Sequence, residues 1–164
     1  ETYFEKLFGA EKEKQRRYIA SALSEDKVRL ASGHRVFGAM ITLGLSRVIF
    51  GTNFDNVVEK AAAFMGGKAM NAYHVEGAHN AKYALDNEEY PFYCKLHGDF
   101  RYDSLKNLPT DLATQNVDLS QCLINAGNRF GFVVAGYSGR DASIIALFKK
   151  VVETTNPFPH GLFW

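Results

Sequence analysis

The residues in this chain best suited to chemistry fall in three glycine-bearing polar clusters. They are Gly51-Thr52-Asn53-Phe54-Asp55, His97-Gly98-Asp99 and Gly136-Tyr137-Ser138-Gly139-Arg140-Asp141. Glycines in such positions let a backbone approach a ligand closely, and a helix starting just after Gly139 can offer unpaired N–H groups to a phosphate. Each cluster also has an ordinary explanation. Glycine-rich turns commonly follow strands, and Asp or Asn near a helix start is usually a cap, a role open to Asp141 and Ser138 here. A lone His-Gly pair is the weakest of the three signals. What raises them together is their shared position, since each directly follows a short apolar run.

Those runs are the elements that must position the clusters. Residues 47–50, 92–96 and 131–135 are short and apolar, rich in β-branched or aromatic side chains, and each ends at a glycine or a His-Gly pair. Helical patterns lie between and around them. Tyr18, Ile19, Ala22 and Leu23 recur at helical spacing, as do Val36, Phe37, Met40 and Ile41 before Gly44. A further helix is expected over residues 56–64, stopped at Gly66-Gly67. Residues 68–87 are mixed and could form another. Ile144, Ile145, Phe148, Val151 and Val152 make an apolar stripe that ends at Asn156-Pro157. Strands alternating with helices predict an α/β fold, Rossmann-like, with a mainly parallel sheet and helices on both faces. In such open sheets ligands bind in the crevice beyond the carboxyl ends of the strands, so the three clusters should converge on one site.

The bulk composition narrows the function classes. The chain has 164 residues, 46% hydrophobic and 23% charged, which suits one soluble globular domain. We read it as a single unit over residues 1–164, helical through residue 45 and built of strand–helix units over 46–164. Nineteen basic and eighteen acidic residues leave a formal charge of +1, which gives no electrostatic case for a nucleic-acid partner. No apolar run approaches the roughly 20 residues of a membrane span, and no signal peptide is visible. Two separated cysteines, Cys94 and Cys122, cannot make a four-cysteine zinc site or a disulfide scaffold. They read as buried thiols in a reducing, cytoplasmic setting. No metal is expected. His34 sits in a helical pattern, His74 and His79 lack partner cysteines and HExxH spacing, and His160 follows a Pro-Phe-Pro turn. Arg101 and Lys106 could face a phosphate, although exposed cations are common.

Taken together, the clusters resemble the sirtuin motifs. Thr52-Asn53-Phe54-Asp55 is similar to the sirtuin Thr-Gln-Asn-Ile-Asp motif, with Gly51 and Thr52 at its first two positions. Lys95-Leu96-His97-Gly98 resembles the segment holding the sirtuin catalytic histidine, and Gly136-Tyr137-Ser138 resembles the Gly-Thr-Ser motif that lines the NAD ribose and phosphates. The closer similarity is to the sirtuin-like domains of bacterial anti-phage defence proteins, over residues 95–107 and 136–141. It covers nearly the whole chain from about Gly33 onward. Two departures stand out. The deacylase zinc module cannot be built, and no Gly-Ala-Gly phosphate loop precedes Glu1, so both ends of the domain are expected to be cut.

The resemblance implies an NAD hydrolase, releasing nicotinamide and ADP-ribose, that depletes NAD when infection is sensed. Cleaving a bond to an already cationic leaving group passes through an oxocarbenium-like state. An amide suits placement of a water, and a histidine can take a proton from water or a ribose hydroxyl. By resemblance, Asn53 and His97 would be catalytic, and Thr52, Asp55, Gly136, Tyr137 and Ser138 would bind the NAD substrate. Asp55 would meet the carboxamide, and Ser138 with the Gly136 backbone would contact the adenosine ribose and phosphates. Further domains of the same polypeptide, a sensor partner or a homo-oligomer would complete the system, and the isolated piece is expected to be inactive. A non-catalytic NAD or ADP-ribose sensor module is the first alternative, and a protein deacylase the second.

Overall fold

A computed structural model describes residues 6–9, 11–24, 27–99, 101 and 116–164. The N-terminal part carries helices α1 (Lys12–Ala22) and α2 (Ser32–Thr42). Strand–helix units follow: β1 (Val48–Gly51), α3 (Val57–Gly66), β2 (Ala72–Tyr73), α4 (Ala78–Asp86) and β3 (Phe92–Lys95). After residue 115 come α5 (Val117–Gly127), β4 (Phe132–Val133), α6 (Ala142–Val152) and β5 (Leu162–Phe163).

All the strand pairs are parallel. One sheet runs β1-β3-β2, with Val48 opposite Phe92 and Gly51 opposite Lys95. A second pairs β4 with β5. The fold is a Rossmann-like α/β arrangement of parallel sheets flanked by helices. β3 explains why. It is the central strand of its sheet, and all four of its residues are buried. A parallel strand covered on both faces must be apolar throughout rather than alternating, and Phe92-Tyr93-Cys94 meets that requirement. Phe92 and Cys94 face a core built with Ala81 and Leu85 of α4, Leu119, Cys122 and Leu123 of α5, and Ile144, Leu147 and Val151 of α6. Tyr93 points the other way, toward Ile41 of α2, Ile49 of β1 and Ala62 of α3. Period-two alternation in one strand therefore distributes two helical layers across two faces.

The helices close where local chemistry allows. α5 starts at Asn116, whose Oδ1 accepts from the Asp118 and Leu119 amides. α6 starts at Asp141, whose Oδ1 accepts from the Ser143 and Ile144 amides. The expected runs at 47–50 and 92–96 are strands to within a residue. The run at 131–135 contributes a shorter strand, in which Phe132 and Val133 pair in register with β5. Its neighbour β1 meets it through side chains instead, the Phe50 and Phe132 rings stacking at 6.0 Å. The mixed segment 68–87 resolves into β2, a 3₁₀ turn over Val75–Gly77 and α4. A two-residue strand is too short to leave a periodic pattern in sequence. Among the described residues no helix is long and apolar enough to cross a membrane.

α2 packs against α3 at a point where only glycine fits. A Cβ placed on Gly38 would lie 2.3 Å from the Ala61 carbonyl oxygen, a backbone atom that cannot swing aside. Gly38→Ala should therefore force the helices apart and destabilise the protein by about 1–3 kcal/mol, the usual cost of overpacking. Denaturant unfolding checks it. A midpoint equal to wild type would mean that the two helices do not approach so closely.

Candidate functional site

The site begins from the register of β1 against β3. With Gly51 opposite Lys95, the pairing carries past the strand ends, and the Leu96 amide donates to the Gly51 carbonyl at 2.9 Å. The next residues on each chain, Thr52 and His97, are thereby brought together. His97 Nδ1 lies 3.1 Å from the Thr52 carbonyl oxygen. Gly98 then turns the chain away at φ +91°, a conformation that favours glycine. The His97 side chain is buried, and the Phe54 ring lies 6.5 Å from its imidazole, centroid to centroid.

The third cluster arrives from β4. The loop between β4 and α6 delivers Asp141 to the other ring nitrogen, with Oδ2 at 2.6 Å from His97 Nε2. The two atoms are close without being well aligned as a hydrogen bond. Asp141 thus serves twice, since its Oδ1 caps α6. The cap is the role that the sequence left open to Asp141. Asp141 takes the Ser143 and Ile144 amides, which the sequence had left open to a phosphate. Tyr137 is half-buried, its hydroxyl donates to the Asp141 carbonyl at 3.3 Å, and its ring tilts against Trp164. Burial, with the nearby Asp141 charge, pushes the Tyr137 phenol up.

The remaining predicted residues divide by exposure. Asn53, Gly136 and Ser138 are exposed, Asn53 on the loop that supplies Thr52 and the other two on the loop that supplies Asp141. Both loops thus join at His97 and keep exposed polar groups beyond the carboxyl ends of β1 and β4. Asp55 is half-buried and looks inward. Its Oδ1 accepts from the Val57 amide, steadying the start of α3, and its carbonyl accepts from Lys95. Of the other histidines, His74 sits 2.7 Å from Glu76, and His34 accepts from the Ala31 amide on the surface. Among the described residues no group of three or more His, Cys, Asp or Glu could hold a metal. Lys106 lies outside the described residues.

Sequence reasoning missed the structure beneath the site. Lys95 is the last residue of β3 and fully buried. Its ammonium reaches Asp99 at 2.6 Å, Glu59 at 2.9 Å and the Asp55 carbonyl at 2.5 Å. Arg101 adds contacts to Asp99 and to Glu59 at 3.2 Å, so it is tied into this network rather than turned to a ligand. Burial acts to raise the Asp99 carboxyl, but the hydrogen bonds from Arg101 and Lys95 outweigh it and hold it at about 2. A lysine ending an apolar run was the available signal, since a charge there has no solvent to face. A cleft of about 460 Å³ opens beside this network, lined by Glu59, Tyr73, His74 and Arg101 among others, rather than at His97. We give the His97 junction priority because three separate strand ends meet there.

Residues 47–164 match the SIR2-like domain family, and the chain belongs to it. It is accordingly a sirtuin-related module of the NAD-binding or NAD-processing kind. None of the curated proteins compared with the chain matches it.

The buried network carries a stability signature. Lys95→Met keeps the apolar stem but leaves the Glu59 and Asp99 carboxylates without their central cation. It should cost about 3–5 kcal/mol, as breaking a buried ion pair does. Denaturant unfolding at neutral pH measures it. A loss under 1 kcal/mol would mean that water reaches these carboxylates. Because the folded Asp99 carboxyl sits below the ordinary value of about 3.9, its contribution is full above that pH and lost as pH falls toward 2. Asp99→Asn should therefore lower stability at pH 7 and flatten the decline between about pH 4 and 2 in acid titrations. An acid limb unchanged from wild type would remove Asp99 from the network.

Proposed function

We propose that this SIR2-like chain is the catalytic module of an NAD hydrolase, cleaving NAD and water to nicotinamide and ADP-ribose. The observation that carries the reading is the junction at His97. A histidine flanked by the Thr52 carbonyl and the Asp141 carboxylate sits where three strand-end loops meet. Exposed Asn53 and Ser138 flank it on two of those loops.

The chemistry asks little of the protein. The bond between nicotinamide nitrogen and ribose breaks toward a neutral leaving group, leaving an oxocarbenium-like sugar that a water attacks. Asn53 offers an amide donor and acceptor to orient that water beneath the ribose. His97 takes the proton that the water or a ribose hydroxyl gives up. Thr52, Gly136, Tyr137 and Ser138 hold the ribose and phosphates, and Asp55 stands by the carboxamide. Asp55 would have to free its Oδ1 from the Val57 amide, or use Oδ2, to do so. In this reading the module works in the cytoplasm of a bacterium and depletes NAD in response to phage infection. It would do so with further domains of its polypeptide or a sensor partner.

Nicotinamide release by the native polypeptide, with its activating signal present, tests the proposal. His97→Ala and Asn53→Ala should each lower the rate by roughly 10²–10⁴-fold, equivalent to about 3–5 kcal/mol of lost transition-state stabilisation, with folding intact. Ser138→Ala should mainly weaken NAD binding, because a ribose or phosphate contact exists in ground and transition states alike. If the activated wild type binds NAD but never cleaves it, the module is a nucleotide sensor instead.

A further inference from the structure

His97 presents two ring nitrogens to two acceptors. The Thr52 carbonyl can only accept, so Nδ1 must carry a proton to meet it at 3.1 Å. The Asp141 carboxylate also accepts, and it sits 2.6 Å from Nε2. A neutral imidazole has one N–H and leaves its second nitrogen as a lone pair facing an anion. With Asp141 ionised, the imidazolium is the form that suits both neighbours. An imidazolium has no lone pair and cannot act as a base.

Two loops and the segment of His97 itself surround this pair. From the loop after β1 come the Thr52 carbonyl, the uncharged Phe54 ring and, one residue on, the Asp55 carboxylate, which is bound to the Val57 amide. From the loop before α6 come Asp141 and Tyr137, whose hydroxyl meets the Asp141 backbone. On its own segment His97 is flanked by Lys95 and Asp99, but these are bound with Glu59 and Arg101 into a set of two cations and two carboxylates. That set has no formal net charge. Asp141 is the charged group in direct contact with the imidazole, its Oδ2 2.6 Å from Nε2. It is held in place by the α6 amides on its other oxygen.

We propose that Asp141 is a positioning residue for His97, one oxygen capping α6 while the other orients the imidazole and keeps it charged at rest. This deepens the hydrolase reading and rests on it for its catalytic meaning. To accept a proton, His97 must give up its own proton and exchange the Asp141 oxygen at Nε2 for a water or sugar hydroxyl. The base thus becomes available only at a pH set by Asp141, and the first turn of α6 is mechanically tied to that step.

The test separates the cap from the charge. Asn and Ser cap helices about as well as Asp but carry no charge. Asp141→Asn should leave the melting temperature near wild type while lowering the NMR titration midpoint of the His97 imidazole by about one pH unit or more. The His97 resonance is assigned by its loss in His97→Ala. The acidic limb of nicotinamide release should move down in pH by the same amount. Asp141→Ser serves as the second neutral cap should the Asn variant fail to fold. An unmoved His97 midpoint in a folded neutral-cap variant overturns the proposal and leaves Asp141 a cap only. The titration needs no NAD, so an inactive wild type would count against the hydrolase reading without touching this result.

Discussion

The end of the central strand carries a charge that must be compensated without water. Lys95 closes β3 with its ammonium fully buried, and an isolated ammonium in that setting would cost several kcal/mol. Three separate segments answer it: Glu59 from α3, Asp99 from the turn after His97, and the Asp55 carbonyl from the loop after β1. Each anchors a piece of the site. The loop that carries Asn53 and Thr52 is fixed through Asp55, and the turn that carries His97 is fixed through Asp99. Arg101 then clamps the two carboxylates from outside. A buried ion cluster of this kind is a poor source of raw stability, since apolar replacements can do as well. Its evident service is orientation, because it tolerates only one arrangement of the three segments it joins.

Above that anchor, the sheet behaves as a rigid ruler. Parallel pairing of β1 and β3 advances both chains together, so residues following the two strands emerge side by side. The backbone bond from Leu96 to Gly51 extends that order one step beyond the strands and delivers His97 to Thr52. β4 belongs to a second small sheet, joined to the first through aromatic contacts around Phe50, Phe132, Phe148 and Phe158. The site therefore spans two sheets, and His97 and Asp141 make a polar contact between them. A carboxylate that must also hold a helix N-terminus is a stiff partner for an imidazole, because moving it would uncover two amides.

The order of events in the proposed chemistry follows from this packing. Groups beneath the sheet edge are tied to one another by ion pairs, whereas Asn53 and Ser138 above it are exposed. His97 stands between the two layers, with the Thr52 carbonyl at one ring nitrogen and the Asp141 carboxylate 2.6 Å from the other. Division into a fixed lower layer and an open upper layer is what preorganised sites require, since groups aimed in advance need no rearrangement during reaction.

Much of this was legible in the residues. Apolar runs ending at glycines marked β1 and β3, helical spacing marked α2 and α6, and fully apolar Phe92-Tyr93-Cys94 announced a strand covered on both faces. The three polar clusters stood at strand ends in the sequence, and parallel topology obliged at least two of them to meet. Those features are local, and short-range periodicity records them. The ionic partners of Lys95 were not legible, since the Asp55 carbonyl lies 40 positions away. Nor was the choice of Asp141 for His97, because a cap and an ion-pair partner look the same in sequence. Such pairings depend on strand register and on how two sheets close over one another. These are set by the packing of whole layers, and no single segment contains them.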